Sequence, residues 1–136
     1  MGTRSTTRVI DAEGNTYLNA YRQFDGYIAG HGVGLAAFLN TQRLTNGIPG
    51  SRSPGEGKVW SNGPGCLAAQ LVAFLKKGPG NFYLSCSRTV EEYNYTVCVA
   101  DDLSIHVLVT HGDEGILFDG TLAEFTAYVA GPGKDQ

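Results

Sequence analysis

Between Leu103 and Thr110 the apolar residues Leu103, Ile105, Val107 and Val109 alternate with Ser104, His106, Leu108 and Thr110. Side chains of a β-strand leave opposite faces with a period of two, so this stretch predicts a strand with one face in a core. The segments FYLSCS from Phe82 and YNYTVCVA from Tyr93 read as strands too, and a short ILFD follows the turn GDEG. Together they predict an antiparallel meander. Helical periodicity appears elsewhere. LAAFLNTQRL spaces Leu35, Phe38 and Leu39 for an amphipathic helix, and CLAAQLVAFLKK puts Leu67, Leu71, Phe74 and Leu75 on one face, with Gly78 as its stop. TLAEFTAYV opens with a capping box, Thr121 followed three residues later by Glu124, and the tail GPGKDQ is expected to fray. Segregated helices and antiparallel strands in a chain of 136 residues make a single α+β domain.

The N-terminal third adds a hairpin. Residues 3–10 are rich in threonine and branched side chains, DAEGN signals a turn, and TYLNAYRQ returns as a second strand. Folding about that turn sets Arg4 opposite Arg22 and Ser5 opposite Tyr21, and brings Gly2 near Phe24. Like charges facing each other in a ladder are unfavourable. The two arginines therefore need an acid or an anion nearby, or must splay into solvent. Asp25 is the internal candidate, and a phosphate or carboxylate ligand is the external one, since the guanidinium fork matches such oxygens.

The segment YRQFDGY, residues 21–27, offers more than packing requires. Tyr21, Phe24 and Tyr27 can stack on a base, or serve simply as rim packing. GHGVG, residues 30–34, precedes a helix whose free N–H groups can hold an anion, but no dinucleotide fingerprint or Walker A motif accompanies it. His31 lies directly after YRQFDGY and is a candidate acid, base or donor. His106 alternates with core positions and reads as a sheet-surface residue. His111 sits at a turn beside Asp113 and Glu114 without HxH or HExxH spacing, so no metal is expected. Residues 45–65 hold so many glycines and prolines that most of the stretch predicts a long loop. Residues 48–62, with Arg52, Lys58 and Trp60, are a candidate lid.

Composition excludes some classes. A net charge of −3 and a pI near 5.5 give no general attraction for phosphate backbones, which argues against duplex nucleic acid as a partner. The longest apolar run, CLAAQLVAFL, is far short of the ~20 residues that span a bilayer, and MGTRSTTRVI has no apolar signal region. MGTRST meets the bare myristoylation pattern, read as chance because no polybasic partner follows. A cytoplasmic protein without a membrane partner is expected. Cys66, Cys86 and Cys98 make an odd set without CxxC spacing, so neither a disulfide framework nor zinc is expected.

MGTRSTTRVID and YRQFDGY…GHG resemble a family of short bacteriophage and bacterial proteins that open Met-Gly-Thr-Arg-Ser and carry a Tyr-Arg-Gln-Phe-Asp-Gly-Tyr-type segment. The likeness covers about the first third of the chain. It implies that Thr3, Arg4, Ser5, Tyr21, Arg22, Asp25, Gly26 and Tyr27 act together, and a phage origin implies action on host machinery. The expectation is a homo-oligomeric, non-enzymatic protein that captures an anionic, nucleotide-like molecule, plausibly a host defence signal, without a cofactor. Its site would comprise Thr3, Arg4, Ser5, Tyr21, Arg22, Phe24, Asp25, Tyr27 and His31. The alternatives are a small hydrolase using His31 and Asp25 as an acid–base pair, and a protein-interaction or structural role.

Overall fold

A computed structural model describes residues 2–135; of the tail expected to fray, Pro132–Asp135 forms a short 3-10 helix and Gln136 lies outside the described residues. The chain is α+β, as its periodicities predict. Strands β1 (Ser5–Asp11) and β2 (Thr16–Arg22) form the hairpin. Its turn is closed by the Asp11 carboxylate, which accepts from the backbone N–H groups of Glu13 and Asn15, the Asn15 amide and the Tyr17 hydroxyl. The Asn15 side chain contributes most to holding that carboxyl below its usual pKa.

The hairpin register differs from the expected one by a single residue. Next to the turn Ile10 pairs with Thr16, in step with the prediction, but Val9 pairs with Leu18. Tyr17 is the extra residue of a β-bulge, and a bulge displaces every pair beyond it. Ser5 therefore faces Arg22 and Thr6 faces Tyr21. Because faces alternate along a strand, Arg4 lies on the face opposite Arg22. The predicted arginine pair does not form.

After β2 the chain turns into a single π-helical turn, Ile28–Gly32, continuous with α1 (Val33–Asn40). The glycine-rich GHGVG is thus helical. Glycine suits it there: a Cβ on Gly30 would lie 2.6 Å from the Asp25 carbonyl oxygen. The helix stops four residues earlier than its apolar spacing predicts, at Asn40 rather than Leu44. The Thr41 hydroxyl donates to the Phe38 carbonyl, a local bond that competes with continued helix. Gln42–Thr45 becomes strand β3, paired in parallel with β4 (Val59–Asn62). The expected long loop is therefore shorter, and its end also supplies the start of α2 (Gly63–Leu75).

Strand β5 (Phe82–Leu84) does not join the meander. It pairs with β2 at the far edge of the sheet. β6 (Tyr93–Val99), β7 (Ile105–His111) and β8 (Gly115–Thr121) form the meander, and β6 docks parallel to β1. The six-stranded order is β5-β2-β1-β6-β7-β8. Helix α3 (Leu122–Ala130) leaves β8 through the capping box, with Thr121 Oγ1 accepting from Glu124 N–H and Glu124 Oε1 accepting from Thr121 N–H. The helices contribute Leu35, Leu39, Leu67, Leu71 and Phe125 to the core, against Val9, Leu18, Tyr95, Val97, Val107 and Val109 of the sheet. Among the described residues, no helix is long and apolar enough to cross a membrane.

Candidate functional site

The strand-to-helix junction built by YRQFDGY separates the residues expected to act together. Tyr21 leaves on the face turned away from Arg22, where its ring lies 6.1 Å from that of Tyr83. Arg4 is exposed, and its carbonyl accepts from Tyr93 N–H. Thr3 contributes its carbonyl, which accepts from Gly26 N–H at 2.9 Å. Ser5 is fully buried against Gly26, and its Oγ has no hydrogen-bond partner. Phe24 is half exposed and lies against Gly2. Asp25 holds the left-handed conformation, φ 60°, which a short polar side chain tolerates. Its carbonyl accepts from His31 N–H, while its carboxylate meets only the Tyr27 hydroxyl, at 3.5 Å. Tyr27 is the residue that precedes the helical turn. Most of the segment therefore makes the corner.

Arg22 and His31 do come together. The Arg22 guanidinium donates from Nε to the Phe24 carbonyl at 2.6 Å and from Nη1 to His31 Nδ1 at 3.2 Å. A guanidinium can only donate, so Nδ1 is the accepting nitrogen and the ring proton sits on Nε2. Nε2–H then donates to Thr7 Oγ1 at 2.7 Å. The ring is 1% exposed and packs edge-on to Tyr95 at 4.7 Å. Burial, reinforced by the Arg22 charge, pulls the His31 pKa down to about 3. His31 is thus neutral at ordinary pH with both nitrogens engaged, and it meets Asp25 only through the backbone. An acid–base pair of these two residues has no geometry. Tyr95 donates to the Gly26 carbonyl at 2.8 Å, and burial pushes its phenol well above the usual range.

Arg22 is half-buried, and the only side-chain ion pairs among the described residues are His106–Asp119 and His111–Glu92. Among the described residues, no carboxylate lies within ion-pairing distance of Arg22. The free side of Arg22 forms one wall of a cleft of about 240 Å³. Asn81 and Lys77 supply further polar groups, while Phe74, Leu75 and Phe82 supply apolar ones. Gly30 and Gly34 complete the lining from the helical side, and a Cβ on Gly34 would meet only open space. The Asn81 carboxamide oxygen accepts from Phe24 N–H at 2.9 Å, which leaves its two N–H groups as donors. Lys77 Nζ stands 5.4 Å from the centroid of the Phe74 ring.

Sequence reasoning missed Thr7, Lys77, Asn81 and Phe74. Thr7, Lys77 and Asn81 carry no local signal, because Thr7 meets His31, and Lys77 and Asn81 come beside Arg22, only once the sheet is folded. The loop residues expected to close over the site form a separate knot instead. Arg52 lies 5.1 Å from the Trp60 ring centroid, and Trp60 Nε1 donates to the Arg52 carbonyl at 3.0 Å. None of Arg52, Lys58 and Trp60 lines the Arg22 cleft. No protein-family model, no curated protein and no solved structure matches the chain.

Proposed function

We propose that this protein binds, without converting it, a small anionic molecule of nucleotide-like chemistry in the cleft beside Arg22. The supporting observation is a half-buried guanidinium, fixed by two hydrogen bonds, that pairs with no carboxylate among the described residues. A charge held in partial burial favours an opposite charge, and a fixed guanidinium fork loses little freedom on accepting a phosphate. Arg22 would hold the phosphate with Lys77, the Asn81 amide would donate to a sugar or base, and Phe74 and Phe82 would line a base. Arg4 and Tyr21, on the other face of the hairpin, take no part.

The resemblance to short phage proteins gives such capture a purpose, the removal of a host nucleotide signal. A homo-oligomer belongs to the same proposal. Phe24, Val33 and Phe74 near the cleft are each 40% exposed or more. A second copy covering them would enclose the ligand.

Thermal-shift titration with mononucleotides and cyclic nucleotides tests the proposal, with mass spectrometry of the ligand released on denaturation. Ligand at a hundred times its dissociation constant should stabilise the wild type by about 2.7 kcal/mol and be recovered unchanged. Stabilisation that persists in Arg22→Ala would place the site elsewhere. Recovery of a converted ligand would make the protein an enzyme.

A further inference from the structure

We infer that a second cleft, between Arg43, Lys58 and Leu103, binds a small amphiphilic anion: a phosphate ester or carboxylate on a compact apolar body. The cleft has a volume of about 340 Å³, at the small end of the ~300–1,000 Å³ typical of ligand sites. It shares no lining residue with the Arg22 cleft. Three parts of the fold meet there: the β3–β4 ribbon, the turn between β6 and β7, and the first residue of α3.

The lining is divided by chemistry. Leu44, Leu103, Ile105 and Leu122 form an apolar floor, Arg43 and Lys58 a cationic edge, Gln42 adds a neutral amide, and no carboxylate is among the lining residues. Lys58 is held by a hydrogen bond, and Arg43, which is exposed, lies near an aromatic ring. The Arg43 guanidinium carbon lies 5.9 Å from the Trp60 ring centroid, and Lys58 Nζ donates to the Asn40 carbonyl at the end of α1. Neither is ion-paired among the described residues. The Asp102 carboxylate, in the neighbouring turn, is directed to the N–H and hydroxyl of Ser104.

Leu103 is the unusual member. It holds φ 69°, a left-handed conformation that suits glycine or asparagine far better than leucine. The left-handed residue lets the turn close twice on Ala100, whose carbonyl accepts from Leu103 N–H and whose N–H donates to the Ser104 carbonyl, each at 2.9 Å. A leucine there trades backbone ease for an apolar wall on the cleft. A cationic edge beside an apolar floor matches a ligand with one anionic end and one apolar end.

Amide-resolved NMR titration with phenyl phosphate, alongside inorganic phosphate, tests this. Phenyl phosphate should give saturable shifts at Leu44, Leu103 and Ile105, and inorganic phosphate should bind there at least about tenfold more weakly. Arg43→Ala should weaken both probes. Leu103→Gly, which relieves the backbone and therefore folds, should weaken phenyl phosphate about tenfold and leave inorganic phosphate unchanged. Arg22→Ala should alter none of these values, which separates this site from the first cleft. Absent or unsaturable shifts, or shifts equal in Leu103→Gly, would overturn the inference. So would shifts at the same amides on raising protein concentration alone, which would make the cleft a contact between copies.

Discussion

Arg22 Nη1 donates to His31 Nδ1 across 3.2 Å, and this one hydrogen bond ties the orientation of the guanidinium to the tautomer of the imidazole. It gives the imidazole its tautomer, adds the Arg22 charge to the burial that keeps the ring neutral, and leaves the rest of the guanidinium at the cleft wall. A cation on the cleft wall is thereby held by a neutral partner, and no carboxylate among the described residues pairs with it.

Acid should reveal the buried imidazole. His31 has an ordinary pKa of 6.5 when unfolded and about 3 in the fold. Between those values the unfolded chain binds a proton that the fold does not. Stability from this residue is complete above pH 6.5 and is lost as pH falls through that window, with a slope of up to about 1.4 kcal/mol per pH unit. Denaturant melts of wild type and His31→Gln at about pH 6 and pH 5 should differ in slope, wild type being the steeper. Parallel slopes would mean that His31 titrates normally.

The corner at Gly26 should tolerate loss of a hydroxyl but not gain of a methyl group. A Cβ on Gly26 would fall 2.6 Å from Ser5 Cβ and 2.9 Å from its backbone nitrogen. Gly26→Ala should therefore cost roughly 1–3 kcal/mol in equilibrium unfolding. Ser5→Ala removes a buried hydroxyl that has no partner, so its stability should be unchanged or higher.

Arg22 and Lys77 should separate folding from binding. Arg22→Ala leaves the Phe24 carbonyl and His31 Nδ1 without their donor, and should destabilise the free protein by about 1.5–3 kcal/mol. Lys77 is exposed and touches only the Phe74 ring. Lys77→Ala should leave the melting temperature unchanged while weakening nucleotide binding several-fold by calorimetry. An unchanged affinity would remove Lys77 from the site.

Thr121→Ala breaks the capping box at the point where β8 hands over to α3. Loss of a side-chain cap typically costs about 1 kcal/mol. Thr121→Ser keeps the hydroxyl and should recover most of it in thermal melts. Equal melting temperatures for the two variants would show that the cap is dispensable.

Local pattern determined a good deal of this protein. The turn at Asp11, the alternation of Ile105, Val107 and Val109, the helical face of Leu67 and Leu71, and the Thr121–Glu124 box each depend on residues a few positions apart. A single chain displays such spacing directly, and from it the α+β class follows. Three things were decided by tertiary structure. The bulge at Tyr17 shifted the hairpin by one residue and sent Arg4 and Arg22 to opposite faces. The pairing of β5 with β2 brought Asn81 beside Phe24, and Lys77 to Arg22. The buried contacts of His31 with Thr7 and Tyr95 took away its availability as an acid or base. Strand partners distant in sequence, and the burial they create, come from packing the whole sheet against its helices. No short run of residues records which edge a strand will reach or which charge it will meet there.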